Sequence, residues 1–368
     1  MAGVLINENK DDDMLFPGKI AIITDPPAIN KDDFHSADRL IEKYGDDKIV
    51  HTTWPEVFMA EQDKVIDIVT DLAKDRDVKV LIISQAIQGT NTAIDELKKT
   101  RGDIFIACST VQESSYDASR RANLLFNYNH MGMGSAMVKQ AKKQGAKVFV
   151  HYSFPRHMVQ RILSNRLEMI KGTCAAEGIK FVYATAPDSA GEAGLTSAHQ
   201  FILEDVPKLV AKYGEDTAFF STCCSHQVSL IKAVVDSHAI YPQPCCPSPY
   251  HGFPEALGIK TDNGKDDLNY VIGEACRIAA EKNMTDRLST WPVSASMMFT
   301  NAGAEYAIKW IRDEVPKTGI DETVLREGMA AFVNEAIGEA ASVYINSYSE
   351  GGQTYNNYKL VLMSYLDF

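Results

Sequence analysis

The sequence predicts an α/β protein made of two doubly wound, Rossmann-like parallel-sheet lobes with an inter-domain cleft. Three observations carry that prediction. Short, nearly all-apolar strand candidates alternate with helix candidates along most of the chain. The alternation breaks near residue 130 and restarts as a second series of similar length. The 368 residues are enough for two to three domains at about 150 residues each.

The first series opens with KIAIITD (19–25), an Ile-rich run that ends in Asp25-Pro26-Pro27 and reads as a buried strand and a loop. Residues 31–44 place Phe34, Ala37, Leu40 and Ile41 on one helical face, and Tyr44-Gly45 stops it. KIVHTTW (48–54) is a second strand, residues 61–74 carry Val65, Ile68, Val69 and Leu72 at helical spacing, and KVLIISQA (79–86) is a third strand. A short helix over 91–99 and the strand DIFIACST (103–110) complete the series. LLFNYNH (124–130) reads as one more strand, and Met131-Gly132-Met133-Gly134 as a flexible lobe connection rather than a phosphate loop.

The second series has a helix over 135–144, KVFVHYS (147–153) as a strand, a helix over 157–176 and IKFVYATAP (179–187) as a strand. A helix over about 197–213, the strand DTAFFST (216–222), a helix over about 226–238 and the strand AIYPQP (239–244) follow. Residues 266–282 are helical, and RLSTWPVSASMMF (287–299), with Pro292 inside it, is an edge strand or a crossing between domains. A helix over 303–315, a long helical segment from about 321 to 345 and the strand NNYKLVLMSYL (356–366) close the chain. The expected domains are residues 1–134 with 295–368 as a discontinuous N-terminal lobe, and 135–294 as the C-terminal lobe.

Composition narrows the function. Hydrophobic residues make up 45% and charged residues 23%, which excludes a disordered or collagen-like chain. The net charge of −12 argues against nucleic acid as the main partner, because phosphate binding needs a basic face. No run reaches the roughly 18 apolar residues of a membrane span. The N-terminus lacks a basic n-region and an apolar h-region, so the chain is expected to stay in the cytoplasm unless an export leader has been removed. Asp11-Asp12-Asp13 reads as a solvated arm. There is no GxGxxG after the first strand and no GxxxxGK[ST], so no cofactor is expected.

Two consecutive doubly wound lobes followed by a chain that crosses back resemble the type I periplasmic binding protein fold. KIAIITD with its helix, VLIISQA, and DTAFFSTCCSHQVSLIKAVVD are the stretches most similar to that family. More narrowly, the chain resembles the bacterial DUF3798 family. One departure is that exported relatives carry a lipoprotein signal with a cysteine at the mature start, and this sequence has none. The resemblance implies a two-lobed receptor that closes on a small polar solute such as a sugar, nucleoside or amino-acid-like molecule. Its partner would be an ABC permease if the chain is exported; otherwise it would sense a metabolite.

Ligands of parallel α/β sheets sit beyond the carboxyl ends of the strands. In the first lobe those positions supply Asp25, Phe34, Trp54, Gln85, Gln88, Ser109 and Thr110. In the second they supply Tyr152, Phe154, Arg156, Tyr183, Thr222, Cys223, His226 and Tyr250, with Trp291 on the expected crossing strand. Aromatic rings stack on sugar faces and heterocycles, amides and hydroxyls fix orientation, and Arg156 suits a carboxylate or phosphate. Gly89-Thr90-Asn91 reads as a turn and helix start.

Cys223-Cys224 and Cys245-Cys246 are two adjacent pairs with His226 and His251 nearby. Their spacing is not that of a zinc ribbon, and neighbouring cysteine side chains usually diverge, so the expectation is plain thiols, with a soft metal or a disulfide as alternatives. A different class of function is an enzyme or metal-binding protein that uses a Cys223/His226 cleft, with the thiol as nucleophile and the imidazole as base. Cys108, Cys174 and Cys276 read as core.

Overall fold

The structure is a computed structural model and describes residues 16–27, 30–55, 58, 60–189, 194–261, 268–337 and 342–368. The Asp11-Asp12-Asp13 run lies outside the described residues. The elements in chain order begin with β1 (Lys19–Thr24), α1 (Lys31–Tyr44), β2 (Ile49–Thr53), α2 (Gln62–Leu72), β3 (Val78–Ile83), α3 (Thr90–Lys98), β4 (Phe105–Ser109), α4 (Ser115–Ser119) and β5 (Leu124–Tyr128). They continue with α5 (His130–Lys143), β6 (Val148–Ser153), α6 (Pro155–Met158), α7 (Arg161–Glu177), β7 (Lys180–Thr185), α8 (Gly194–Tyr213), β8 (Thr217–Ser221) and α9 (Gln227–Asp236). The last are α10 (Phe253–Leu257), α11 (Leu268–Glu281), β9 (Ser289–Thr290), α12 (Ala295–Ile311), α13 (Glu322–Ile337), β10 (Val343–Glu350), β11 (Gln353–Met363) and β12 (Leu366–Asp367). The chain divides into two compact units, one of Met1–Asn127, Ser296–Phe332 and Ile345–Val361, the other of Tyr128–Ala295, Val333–Tyr344 and Leu362–Phe368.

The first unit is built on a seven-stranded sheet of order β10-β11-β5-β4-β3-β1-β2. The pairs β1–β2, β1–β3, β3–β4 and β4–β5 are parallel. Ile20 to Ile23 and Leu81 to Ile83 are buried, as expected of strands covered on both faces. Each such side chain contributes about 1.5–3 kcal/mol of burial. α12 lies against this sheet: Phe299 stacks on Phe126 with ring centroids 5.3 Å apart, and a Cβ on Gly303 would meet Ala107 and Phe126 at 3.6 Å. The chain leaves β1 for β2 on one side and then crosses to β3 on the other. Such a reversal is where open α/β sheets form their ligand crevice, here at the carboxyl ends of β1 and β3.

The second unit holds the parallel sheet β7-β6-β8. Here the reversal falls between β6 and β8. The sheet is extended only by single bridges, Ala218 to Ile240 and Tyr241 to Leu288. β12 pairs antiparallel with β9, so the last residues of the chain complete this unit. Tyr152, Phe219, Phe253 and Phe368 share one core cluster, and Met137, Phe149, Ile170, Phe220 and Cys245 share another.

Several expected elements differ. Met131–Gly134 is not a flexible connection but the first turn of α5, capped by Asn129, whose side chain accepts from Gly132 N at 2.9 Å. Gly134 is needed where α5 meets α7: a Cβ there would lie 3.1 Å from the Arg166 carbonyl oxygen. The expected helix over 157–176 is two, because Pro155 starts α6 and α7 begins afresh at Arg161. Residues 239–244 form bridges rather than a strand, since Pro242 and Pro244 remove ladder donors. Of 287–299 only Ser289–Thr290 is strand, and α12 already begins at Ala295. The helix expected to reach residue 345 is described over Glu322–Ile337, and Val343–Glu350 is a strand that turns through Gly351 and Gly352, both at positive φ as a two-residue hairpin loop requires.

Candidate functional site

The crevice of the first unit is lined by short polar side chains on rigid elements. β1 ends in Thr24 and Asp25, α1 contributes Asp33 from its first turn, β3 ends in Ser84 and Gln85, and β4 ends in Ser109 and Thr110. Asn30 caps α1 by accepting from Asp33 N at 3.2 Å. In a reciprocal capping box the Asp33 carboxyl would accept from Asn30 N, but that amide donates to the Pro26 carbonyl at 3.1 Å. The Asp33 side chain is therefore left buried, with neither oxygen in a well-formed hydrogen bond, although Ser296 and Gln85 lie beside it. Burial, then the nearby Asp25 carboxylate, raise its pKa to about 7. Burial alone raises Asp25 to about 6. Two carboxyls thus titrate near neutrality in one crevice.

The surrounding network is fixed. Trp54 Nε1 donates to the Gln85 carbonyl at 2.7 Å, Thr300 Oγ1 to Ser84 Oγ at 3.1 Å, and Ser109 Oγ to the Ser84 carbonyl. Thr110 adopts φ +49°, costly for a β-branched residue, and its buried hydroxyl has no partner.

The second unit repeats the pattern between β6 and β8. Ser153 Oγ and His157 Nδ1 each lie 2.9 Å from Thr222 Oγ1. Arg156 holds Asp188 through two hydrogen bonds of 2.7 and 2.8 Å and lies over the Phe154 ring. Phe154 packs on His157 at 4.1 Å between centroids, and burial lowers His157 to about 4, so it is neutral at physiological pH. Ser225 Oγ donates to Ser189 Oγ at 2.7 Å, and Cys223 Sγ sits 3.0 Å from Ser225 Oγ.

His226 does not serve Cys223 as a base. Its Nε2 faces the Pro187 carbonyl at 3.2 Å, and a carbonyl only accepts, which assigns the proton to Nε2. Nδ1 then accepts from Ser221 Oγ at 2.9 Å. Both nitrogens are occupied, and burial keeps the ring neutral. The two adjacent cysteine pairs do not act as pairs either. Cys223 belongs to the serine network. Cys223 and Cys224 diverge as expected, but Cys245 and Cys246 do not, and with Cys224 they converge: Sγ distances are 3.2 Å for 224–245, 3.8 Å for 224–246 and 4.0 Å for 245–246. His251 joins Cys224 and Cys245, with ligand atoms within 4.8 Å of one another.

The expected site residues fall into distinct places. Asp25, Gln85, Ser109 and Thr110 stand at the carboxyl ends of β1, β3 and β4; Phe154, Arg156, Thr222, Cys223 and His226 cluster at the carboxyl ends of β6 and β8. Phe34 is half-buried against His51, centroids 4.9 Å apart, and Gln88 is exposed beside Gln62. Trp54 is buried behind Gln85. Tyr152 faces the core, where its hydroxyl donates to Asp205 Oδ2 at 2.8 Å. Tyr183 lies in the middle of β7, stacked on His151 at 5.9 Å, and lines a shallow surface hollow with Met158 and Glu168. Tyr250 follows the cysteine loop, its amide donating to Ser248 Oγ at 3.1 Å. Trp291 is buried against Tyr128. Asp33, Ser84, Ser189, Ser225 and Thr300 were not expected. Asp33 reads as an ordinary helix-start acid, and the serines carry no spacing signal.

The pattern of the family described as protein of unknown function DUF3798 matches residues 18–289. An uncharacterized protein of Treponema pallidum (strain Nichols) is 30% identical over 178 residues, spanning 47% of this chain and 80% of that protein. A proposed transcriptional regulator from Clostridium difficile 630 superposes with a TM-score of 0.81 at 22% identity, covering 96% of this chain and all of that one. A sugar ABC transport substrate-binding protein from Bordetella parapertussis 12822 gives 0.57 at 11% identity over 95% of this chain and 89% of that one. An ABC transporter solute-binding protein from Clostridium phytofermentas with bound L-rhamnose gives 0.53 at 10% identity over 96% and 95%. The fold is that of type I periplasmic binding proteins. Among the described residues no helix is long and apolar enough to cross a membrane.

Proposed function

We propose that this chain, which belongs to the DUF3798 family, is a binding protein for a small polar solute, a sugar, nucleoside or amino-acid-like molecule, on which its two lobes close. It would act as the solute receptor of an ABC permease or as a metabolite sensor, and it would bind without turnover. The observation that supports this most is the polar set at the carboxyl ends of β1, β3 and β4: the buried Asp33 carboxyl beside Asp25 and Gln85, followed by Ser109 and the strained Thr110. Buried carboxyls that titrate near neutrality both donate and accept hydrogen bonds, which suits a ligand dense in hydroxyls. The L-rhamnose held by the protein of the same fold from Clostridium phytofermentas is of that class.

The test is a thermal-shift and calorimetric screen against sugars, nucleosides and amino acids. One solute class is expected to bind saturably and unchanged, with Gln85→Ala weakening it at least tenfold. Each lost hydrogen bond to a buried polar partner costs about 1–3 kcal/mol. A screen without any stabilising solute, or turnover abolished by Cys223→Ala, would overturn the proposal.

A further inference from the structure

We propose that Cys224, Cys245, Cys246 and His251 form a structural zinc site, distinct from both crevices, that ties the turn after β8 to the loop before α10. The geometry carries the argument. A tetrahedral zinc ion about 2.3 Å from each sulfur places the sulfurs about 3.8 Å apart. The three Sγ–Sγ distances of 3.2, 3.8 and 4.0 Å bracket that edge. His251 supplies the nitrogen, its ligand atom lying within 4.8 Å of Cys224 and Cys245; Cys246 lies farther from His251 and joins the site through its sulfur contacts to Cys224 and Cys245, so the ion would draw Cys246 and His251 together. Three thiolates and one imidazole are an ordinary structural zinc donor set. The sequence hides it because the ligands come from three places separated by about one helix and a proline-rich loop, and because the adjacent pair 245–246 converges only through the turn after Pro244.

The surroundings fit the ion. Cys245 is buried and Cys246 half-buried in a core cluster with Met137, Phe149 and Phe220, while Cys224 opens to solvent and gives an entry path. Three thiolates with one divalent ion leave a net charge of −1. The buried Arg166, whose guanidinium lies over Phe220, is near enough to Cys245, Cys246 and Cys224 to interact with their charge, and it supplies the balancing positive charge. Zinc binding displaces the thiol protons to solvent, so it tightens as pH rises.

The test uses the full chain, reduced and stripped of metal, with zinc and cobalt as the probes. One equivalent of zinc per chain is expected by mass spectrometry. Cobalt should give the intense visible bands of a tetrahedral site together with sulfur-to-metal charge transfer. Cys224→Ser, at an exposed position where folding is safe, and His251→Ala should each weaken zinc at least tenfold in a chelator competition, while Cys276→Ser should not. Chelation should lower the melting temperature of the native chain but not of Cys224→Ser. Failure to retain zinc, an octahedral cobalt spectrum, or native affinity in either ligand variant would overturn the site.

Discussion

At the scale of single residues, the buried carboxyl of Asp33 makes the sharpest prediction. Its folded pKa of about 7 stands above the ordinary 3.8, and Asp25 is raised to about 6. Between those limits the folded state holds protons that the unfolded chain has released, so stability falls as pH rises from about 4 to about 7 and levels off above. Asp33→Asn removes that penalty. The variant is expected to be more stable than the native chain at pH 8, by on the order of 2–4 kcal/mol, and nearly equal to it at pH 4. Melting curves in a pH series check this; an unchanged slope would show that Asp33 is ionised in the native state. Residues of this kind were the least legible. Asp25 ends a strand, and its position alone marks it. Asp33 stands at a helix start where an acid is common, and only the diversion of the Asn30 amide to Pro26 leaves its carboxyl unpaired. The aromatic residues Trp54, Tyr152 and Trp291 sit near strand ends in sequence and are buried in the structure, as Asp33 and Ser109 are.

At the scale of elements, legibility followed burial. β1, β3, β4, β6 and β8 are covered on both faces and read as continuous apolar runs. β10 is largely exposed and alternates irregularly between polar and apolar residues, so no periodic signal announced it. The first turn of α5 failed for another reason. Two glycines in four residues suggest a loop, but here Gly134 allows close helix packing against α7, and Gly132 sits against the Asn129 cap. A Gly134→Val substitution is therefore expected to destabilise the second unit by about 1–3 kcal/mol through overpacking, despite the poor helix propensity of glycine. Chemical denaturation measures it: a midpoint equal to or above that of the native chain would show that α5 and α7 have room to separate.

At the scale of the whole molecule, two compact units each carry their own core, and each core is closed by segments distant in sequence. The sequence showed two series of strands and helices, but not that the return segment is shared, with Ile345–Val361 completing one unit and Leu362–Phe368 the other. Units with separate cores unfold in separate transitions unless something couples them. A solute at one hundred times its Kd stabilises whatever it binds by about 2.7 kcal/mol. For units of this size that shifts the melting temperature by roughly 5–10 °C. A ligand on which two lobes close must contact both, so calorimetry is expected to show both transitions rising together and merging as the solute is added. If only one transition moves, the solute is held by a single unit, and closure is not part of its binding. Zinc offers an internal contrast, since all four proposed ligands lie in the second unit and the metal should raise that transition alone.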